Sequence, residues 1–227
     1  YGSSNSYDYC DNCKNSDVKG FIKLTTYAVI DFETTGLSPA HGARPTEVGI
    51  CLVEGGRIVD HYQSLMNPGV PIPYEIQGLT GITDAMVRAA PPVSTVMAET
   101  ASFVGDRPLL AHNAAFDRKF WEVELKTIEQ TPRMDMACSL LLSRRLFPTL
   151  PNHRLATLVR SLRLPMEGTF HRALADAECT AHLLIRIQEE LQGRFKLATV
   201  DHALLMAIQK ASKHDLDNCV GKYCGIV

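Results

Sequence analysis

Strands come before helices in the pattern of apolar and polar positions along this chain. Tyr27-Ala28-Val29-Ile30-Asp31-Phe32-Glu33 is a short β-prone run ended by Thr34-Thr35-Gly36, which predicts a buried strand running into a turn. Residues 46–53 predict a second strand. Gly55-Gly56 then makes a hairpin turn into a third strand over 57–66. Residues 67–73 read as a Pro/Gly loop, followed by short helices at 84–88 and 93–105. A brief fourth strand is predicted at 108–111, and Asn113 caps a helix running to about Lys126. Further helices are expected over 136–147, 155–162 and 172–192. In the last of these, Leu174, Ala177, Ala181, Leu184 and Leu191 recur at helical spacing and form a core stripe. Beyond Gly193, Thr199 or Asp201 starts an amphipathic helix through Leu204, Leu205, Ile208 and Ala211, and a polar tail follows.

This order predicts an α/β protein with a mixed sheet flanked by helices. Residues 1–26, rich in Ser, Asn, Asp and Tyr, read as an N-terminal arm, 27–192 as the principal domain, and 193–227 as a C-terminal helical appendage. A chain of 227 residues is long enough for one sizeable core. No run approaches the ~18 apolar residues of a membrane span, and the first residues lack the order of a signal peptide. The expectation is a soluble, cytoplasmic chain with no membrane partner. Its net charge of −2 is far from that of a protein coating long nucleic acids, so a nucleic-acid substrate would have to be gripped over a few nucleotides. Seven cysteines, an odd number, argue for reduced thiols rather than a disulfide framework.

Three polar segments carry the candidate chemistry. Asp31 and Glu33 lie two apart on a strand, so their carboxylates leave the same face at its C-terminal end, where α/β sheets place ligand sites. Carboxylates forced together repel unless a cation or a proton intervenes, and oxygen ligands favour Mg²⁺ or Mn²⁺. A strand end with two solvated acids fits the same residues. His112-Asn113-Ala114-Ala115-Phe116-Asp117 follows the fourth strand and places Asp117 in a first helical turn, which the helix dipole alone would favour. Phe116 is either core or a platform for a terminal base. His171-Arg172-Ala173-Leu174-Ala175-Asp176 opens the long late helix. Its histidine is either a cap or a group able to take a proton near neutral pH.

Taken in order, Asp-x-Glu-Thr-Thr-Gly, His-Asn-x-x-Phe-Asp and His-x-x-x-x-Asp resemble the motifs of the DEDD-type 3′–5′ exonucleases. More narrowly, they resemble the histidine branch that includes the proofreading epsilon subunit of bacterial DNA polymerase III. The resemblance covers about residues 27–192 and implies a ribonuclease H-like exonuclease fold with a mixed five-stranded sheet. It implies that Asp31, Glu33, Asp117 and Asp176 hold two Mg²⁺ or Mn²⁺ ions, with His171 as the general base, and that nucleoside 5′-monophosphates are released. It also implies that Thr34, Thr35, Gly36, Asn113 and Phe116 meet the terminal nucleotides, and that Leu79-Thr80-Gly81-Ile82 walls the terminal base. For that last segment a turn before a helix capped by Thr83 is the alternative.

The implied partners are the 3′ ends of nucleic acid, single-stranded DNA ahead of RNA, and a DNA polymerase. RNA 3′-end trimming and a non-catalytic polymerase-docking module are the competing functions. His153 and Arg154 either meet phosphates or belong to a solvated loop. Cys10-x-x-Cys13 and Cys219-x-x-x-x-Cys224 would form a structural zinc site if the termini met, but the second spacing is loose and free thiols are the default reading. Cys51, Cys138 and Cys179 fall within expected elements and read as core.

Overall fold

A computed structural model describes residues 25–166, 168 and 170–225. Five strands form one sheet: β1 (Tyr27–Thr34), β2 (Pro45–Glu54), β3 (Arg57–Leu65), β4 (Leu109–Ala111) and β5 (Met136–Cys138). Their order is β3-β2-β1-β4-β5. β1 pairs antiparallel with β2 and β2 antiparallel with β3, while β1–β4 and β4–β5 are parallel. The β2–β3 hairpin turns on Gly55 and Gly56, with φ of 58° and 75°, and two left-handed residues in succession give a turn whose twist matches the flanking strands.

The helices are α1 (Tyr74–Thr80), α2 (Asp84–Arg88), α3 (Val93–Val104), α4 (Ala115–Thr127), α5 (Ser139–Leu146), α6 (Leu155–Leu162), α7 (Ala173–Phe195), α8 (His202–Lys210) and α9 (Leu216–Cys224). Strand alternation divides the core into two layers. Tyr27, Val29, Cys51 and Val53 face α7, where Ala177, Leu184, Ile187 and Leu191 meet them. Ala28, Ile30, Phe32, Val48 and Ile50 face Val96 and Met97 of α3 and Phe120 and Leu125 of α4. Asp31 and Glu33 continue the odd-numbered face of β1, the one covered by α7. This parity decides which helix can meet them.

Four local expectations are corrected. Residues 136–138 are a strand rather than the start of a helix. They pair with Leu109–Ala111, and a three-residue buried strand has no period that separates it from helix. Asn113 is not the cap of α4: it sits at φ 63°, and Ala114 holds the cap position without a side-chain hydrogen bond. Asn suits both conformations, and the tight β4–α4 connection takes the left-handed one. Residues 74–80 form α1, a helix inserted before the one capped by Thr83, whose side chain accepts from the Met86 N–H at 3.3 Å. Where a polar tail was expected, α9 forms, with Leu216, Val220 and Cys224 buried. Gly193 lies inside α7, and Leu204, Leu205, Ile208 and Val220 share one buried cluster with Tyr27 and Val29.

Candidate active site

The site lies where the C-terminal end of β1 meets the first turns of α4 and α7. Asp31 faces Gly49 across the β1–β2 pair, and Glu33 faces Glu47. A β-carbon at Gly49 would lie 2.3 Å from the Ala173 carbonyl carbon and the Leu174 nitrogen. The start of α7 therefore rests directly on the backbone of β2, which only glycine allows. That approach carries His171 and Asp176 to Glu33, and the three residues can offer ligand atoms all within 4.8 Å of one another. The His171 N–H donates to Asp176 Oδ2 at 3.1 Å, whereas Asp176 Oδ1 is buried with no hydrogen-bond partner among the described residues. From the other layer, Asp117 in the first turn of α4 accepts the Phe32 N–H at 3.2 Å. One oxygen of the side chain is thereby docked beside the strand end.

Burial and crowding dominate the electrostatics. Asp31 is held well above the usual carboxylate range, first by burial and then by the charges of Asp117, Asp176, Glu33 and Glu47. Glu33 is pushed up to about 8 by burial, then by Asp176, Glu47 and Asp117, with Arg172 opposing. Asp117 is likewise raised to about 8 by burial, against the stabilising N–H groups of Phe32 and of its own backbone. Burial also raises Asp176, and the N–H and charge of His171 oppose it. Four acids that resist joint ionisation, one with an orphaned buried oxygen, form a donor set short of positive charge. Hard divalent cations with oxygen ligands fit that set.

The family model RNase_T, described as Exonuclease, matches residues 28–184. The chain belongs to this exonuclease family. The DNA polymerase III PolC-type protein of Bacillus cereus is 40% identical over 170 residues, spanning 73% of this chain and 12% of that protein. Its Bacillus subtilis counterpart is 38% identical over 171 residues, spanning 74% and 12%. This exonuclease chain therefore spans about an eighth of the length of these curated relatives. Among solved structures, exonuclease X in complex with 5′ overhanging duplex DNA is 28% identical, with a TM-score of 0.63 over 81% of this chain and 99% of that one. The nuclease domain of 3′hExo, a DEDDh family member bound to rAMP, is 20% identical at a TM-score of 0.63, over 79% and 98% of the two chains. The fold is the ribonuclease H-like exonuclease fold expected from the motifs. Exonucleases of this type work with divalent metal ions, and a zinc-bound form of Escherichia coli exonuclease I with single-stranded DNA has been crystallised.

Other residues singled out in the exonuclease sequence are distributed around the acids. Thr34 and Thr35 are buried and shape the turn: Thr34 Oγ1 donates to the Gly36 carbonyl at 2.7 Å, and Thr35 Oγ1 accepts the Arg44 N–H at 2.9 Å. Gly36 leaves space for Ala43, 3.3 Å from where its β-carbon would stand. Leu79 is exposed. Thr80 is buried, its hydroxyl donating to the Ile76 carbonyl and accepting the Ile82 N–H. Asn113 is exposed, and Phe116 packs on Phe120 with ring centroids 5.2 Å apart. The His153 ring bonds the Phe147 carbonyl at 3.0 Å, so it braces its own loop, while Arg154 is exposed. Cys51, Cys138 and Cys179 are buried, as read from the sequence. Cys219 is half-buried and Cys224 buried on α9, while Cys10 and Cys13 lie outside the described residues.

Sequence reasoning missed several residues that hold the site together. Gly49 sets the approach of α7, and the buried carboxylate of Glu47 binds the start of that helix. Buried Glu124 of α4 pairs with Arg44 at 2.9 Å and ties the β1–β2 turn to α4. His112, quoted in the second motif without a role, bridges Ser139 Oγ at 2.9 Å and the His153 carbonyl at 3.1 Å, and burial pulls its pKa down to about 4. The available signal was a charged residue and a glycine inside a strand that otherwise reads as buried, Thr46-Glu47-Val48-Gly49.

Proposed function

We propose that this chain is the 3′–5′ exonuclease unit of a DNA-processing protein, removing nucleoside 5′-monophosphates from the 3′ end of single-stranded DNA. The convergence of Asp31, Glu33, Asp117, Asp176 and His171 at the end of β1 carries this reading. The four acids would hold two Mg²⁺ or Mn²⁺ ions, which when bound supply positive charge to offset what develops on the phosphate and the leaving 3′ oxygen. Asp117 contributes from a side chain fixed by the Phe32 N–H, and Asp176 presents its buried Oδ1, which has no hydrogen-bond partner among the described residues. His171, exposed at the mouth of the site, accepts the proton of the attacking water at a ring nitrogen. The turn 34–36, Leu79, Thr80, Asn113 and Phe116 orient the terminal nucleotides.

DNA as substrate is favoured by two relatives: exonuclease X, solved with 5′ overhanging duplex DNA, and PolC-type DNA polymerase III. The PolC relatives also favour a proofreading role beside a DNA polymerase and a cytoplasmic location. Among the described residues no helix is long and apolar enough to cross a membrane. The test is incubation with 5′-labelled single-stranded DNA and RNA, with Mg²⁺ or Mn²⁺ and with chelator, beside an Asp31→Ala variant. A ladder shortening from the 3′ end, faster on DNA and lost with chelator and in the variant, is expected. Faster RNA shortening would reassign the substrate. No shortening of either polymer would leave the docking-module reading.

A further inference from the structure

Glu47 stands outside the set of acids assigned to metal, and its surroundings show why. It is fully buried on β2, and its carboxylate accepts four hydrogen bonds. Oε1 takes Arg172 Nη2 at 2.7 Å and Gln63 Nε2 at 2.8 Å, while Oε2 takes Arg172 Nε at 3.1 Å and the Ala173 N–H at 3.0 Å. A buried carboxylate survives when it is paired and its lone pairs are satisfied, and both conditions hold here. Although Glu47 is cross-strand neighbour to Glu33, its oxygens are committed to α7 and to Gln63.

His171 directly precedes Arg172 and has φ 66°, a left-handed conformation that residues with a β-carbon keep only where their surroundings enforce it. Two clamps flank it. On one side its own N–H is held by Asp176 Oδ2. On the other, the Arg172 guanidinium and the Ala173 N–H are pinned to Glu47. With its own N–H held and the two residues after it pinned, the histidine backbone has little freedom to relax toward φ < 0.

We propose that Glu47 and Arg172 are positioning residues for the reaction, acting through His171 by holding it in its left-handed conformation against Glu33 and Asp176. This rests on the reading of His171 as proton acceptor. Neither Glu47 nor Arg172 touches substrate in this scheme, so their loss should act on turnover rather than on substrate binding.

The experiment measures kcat and KM of the full chain on a 5′-labelled single-stranded oligodeoxynucleotide with Mn²⁺. The variants are Arg172→Ala, Arg172→Lys, Glu47→Gln, His171→Ala and the His171→Ala/Arg172→Ala double variant. Arg172→Ala is expected to lower kcat by about 10- to 100-fold, the scale of a misplaced reacting group, with KM within about twofold. Arg172→Lys should restore only part of this, because an ammonium cannot make two parallel bonds to one carboxylate. In the His171→Ala background, Arg172→Ala should cost nothing further.

An unchanged kcat in Arg172→Ala, or an equal fall with His171 already removed, would overturn the positioning role. His171→Ala turning over like wild type would overturn the proton-acceptor reading and the clamp with it. An inactive His171→Ala beside a fully active Arg172→Ala would sink the clamp alone. If Arg172→Ala does not fold, Arg172→Lys and Glu47→Gln, each paired with His171→Ala, decide by the same criterion.

Discussion

Asp176 is the residue in which burial, geometry and chemistry meet most directly. One of its oxygens holds the His171 N–H and the other is buried without a partner among the described residues, an arrangement that costs free energy unless a cation or proton completes it. Asp176→Asn keeps the shape but removes the charge, so activity should fall at least about a hundredfold, with folding retained because a repelling charge has gone. His171→Ala should cost about 10²- to 10⁴-fold in kcat, the range of a general base. Kinetics beside thermal melts check both, and an Asp176→Asn enzyme with near-native turnover would remove Asp176 from the site. Asp31 and Glu33 were legible as a pair because two-residue spacing on a strand fixes a shared face, whereas Asp117 and Asp176 stood out only through the resemblance of the three motifs, taken in order, to the DEDD-type exonucleases. Glu47 was not read: a charge inside a strand that otherwise looks buried marks the position, but nothing in the sequence names its partner, an arginine more than a hundred positions away. Asn113 was misread for another reason: its short amide serves a helix cap and a left-handed turn equally well, and the choice belongs to the length of the connection.

Helix α7 does more than any other element to assemble the site, and its position depends on Gly49. The clash a β-carbon would meet there is with backbone atoms of Ala173 and Leu174, which cannot rotate away as the end of a flexible side chain would. Gly49→Ala should therefore lift the start of α7 off β2 and cost about 1–3 kcal/mol, as overpacking does. Activity should fall further than stability, because the displaced turn carries His171 and Asp176. A Gly49→Ala protein with unchanged melting temperature and turnover would contradict the close approach. Legibility at this scale followed element length. The long periodic stripe of α7 and the hairpin glycines announced themselves. The three residues of β5 carry no period, and the stripe of α9, Leu216, Val220 and Cys224 with Cys219 and Tyr223 half-buried beside it, is confined to nine residues. Both are set by what they pack against rather than by local pattern.

For the molecule as a whole, the acid cluster makes stability a function of pH and metal together. Without metal, Glu33 and Asp117 sit near 8 in the folded chain, against ordinary values of 4.5 and 3.8. Raised folded values mean that the folded state binds protons the unfolded state has released. The resulting stabilisation is fully present below about pH 4 and is lost as pH rises through about 8. His112 works in the opposite sense: burial lowers it from 6.5 to about 4, so its contribution is complete above 6.5 and fades as pH falls through 4. Between about pH 7 and 8 the histidine term is constant and the carboxylates govern the slope; nearer pH 9 the buried thiols Cys51 and Cys179, raised from 9 to about 12 and about 11, add to the fall. The melting temperature in chelator should therefore fall across that window. Saturating Mg²⁺ or Mn²⁺ should raise it, most at the alkaline end, because metal and protons compete for the same oxygens. At a hundredfold excess over its dissociation constant, an ion binding only the folded chain adds about 2.7 kcal/mol. Melting curves at pH 7, 8 and 9, with chelator and with each metal, measure both effects, and Asp31→Asn should flatten the chelator slope by removing a carboxyl that is itself held well above its usual range. If the chelator melts are flat or rise with pH in the wild type, the acids do not share a desolvated site, and their raised affinity for protons cannot be what metal replaces.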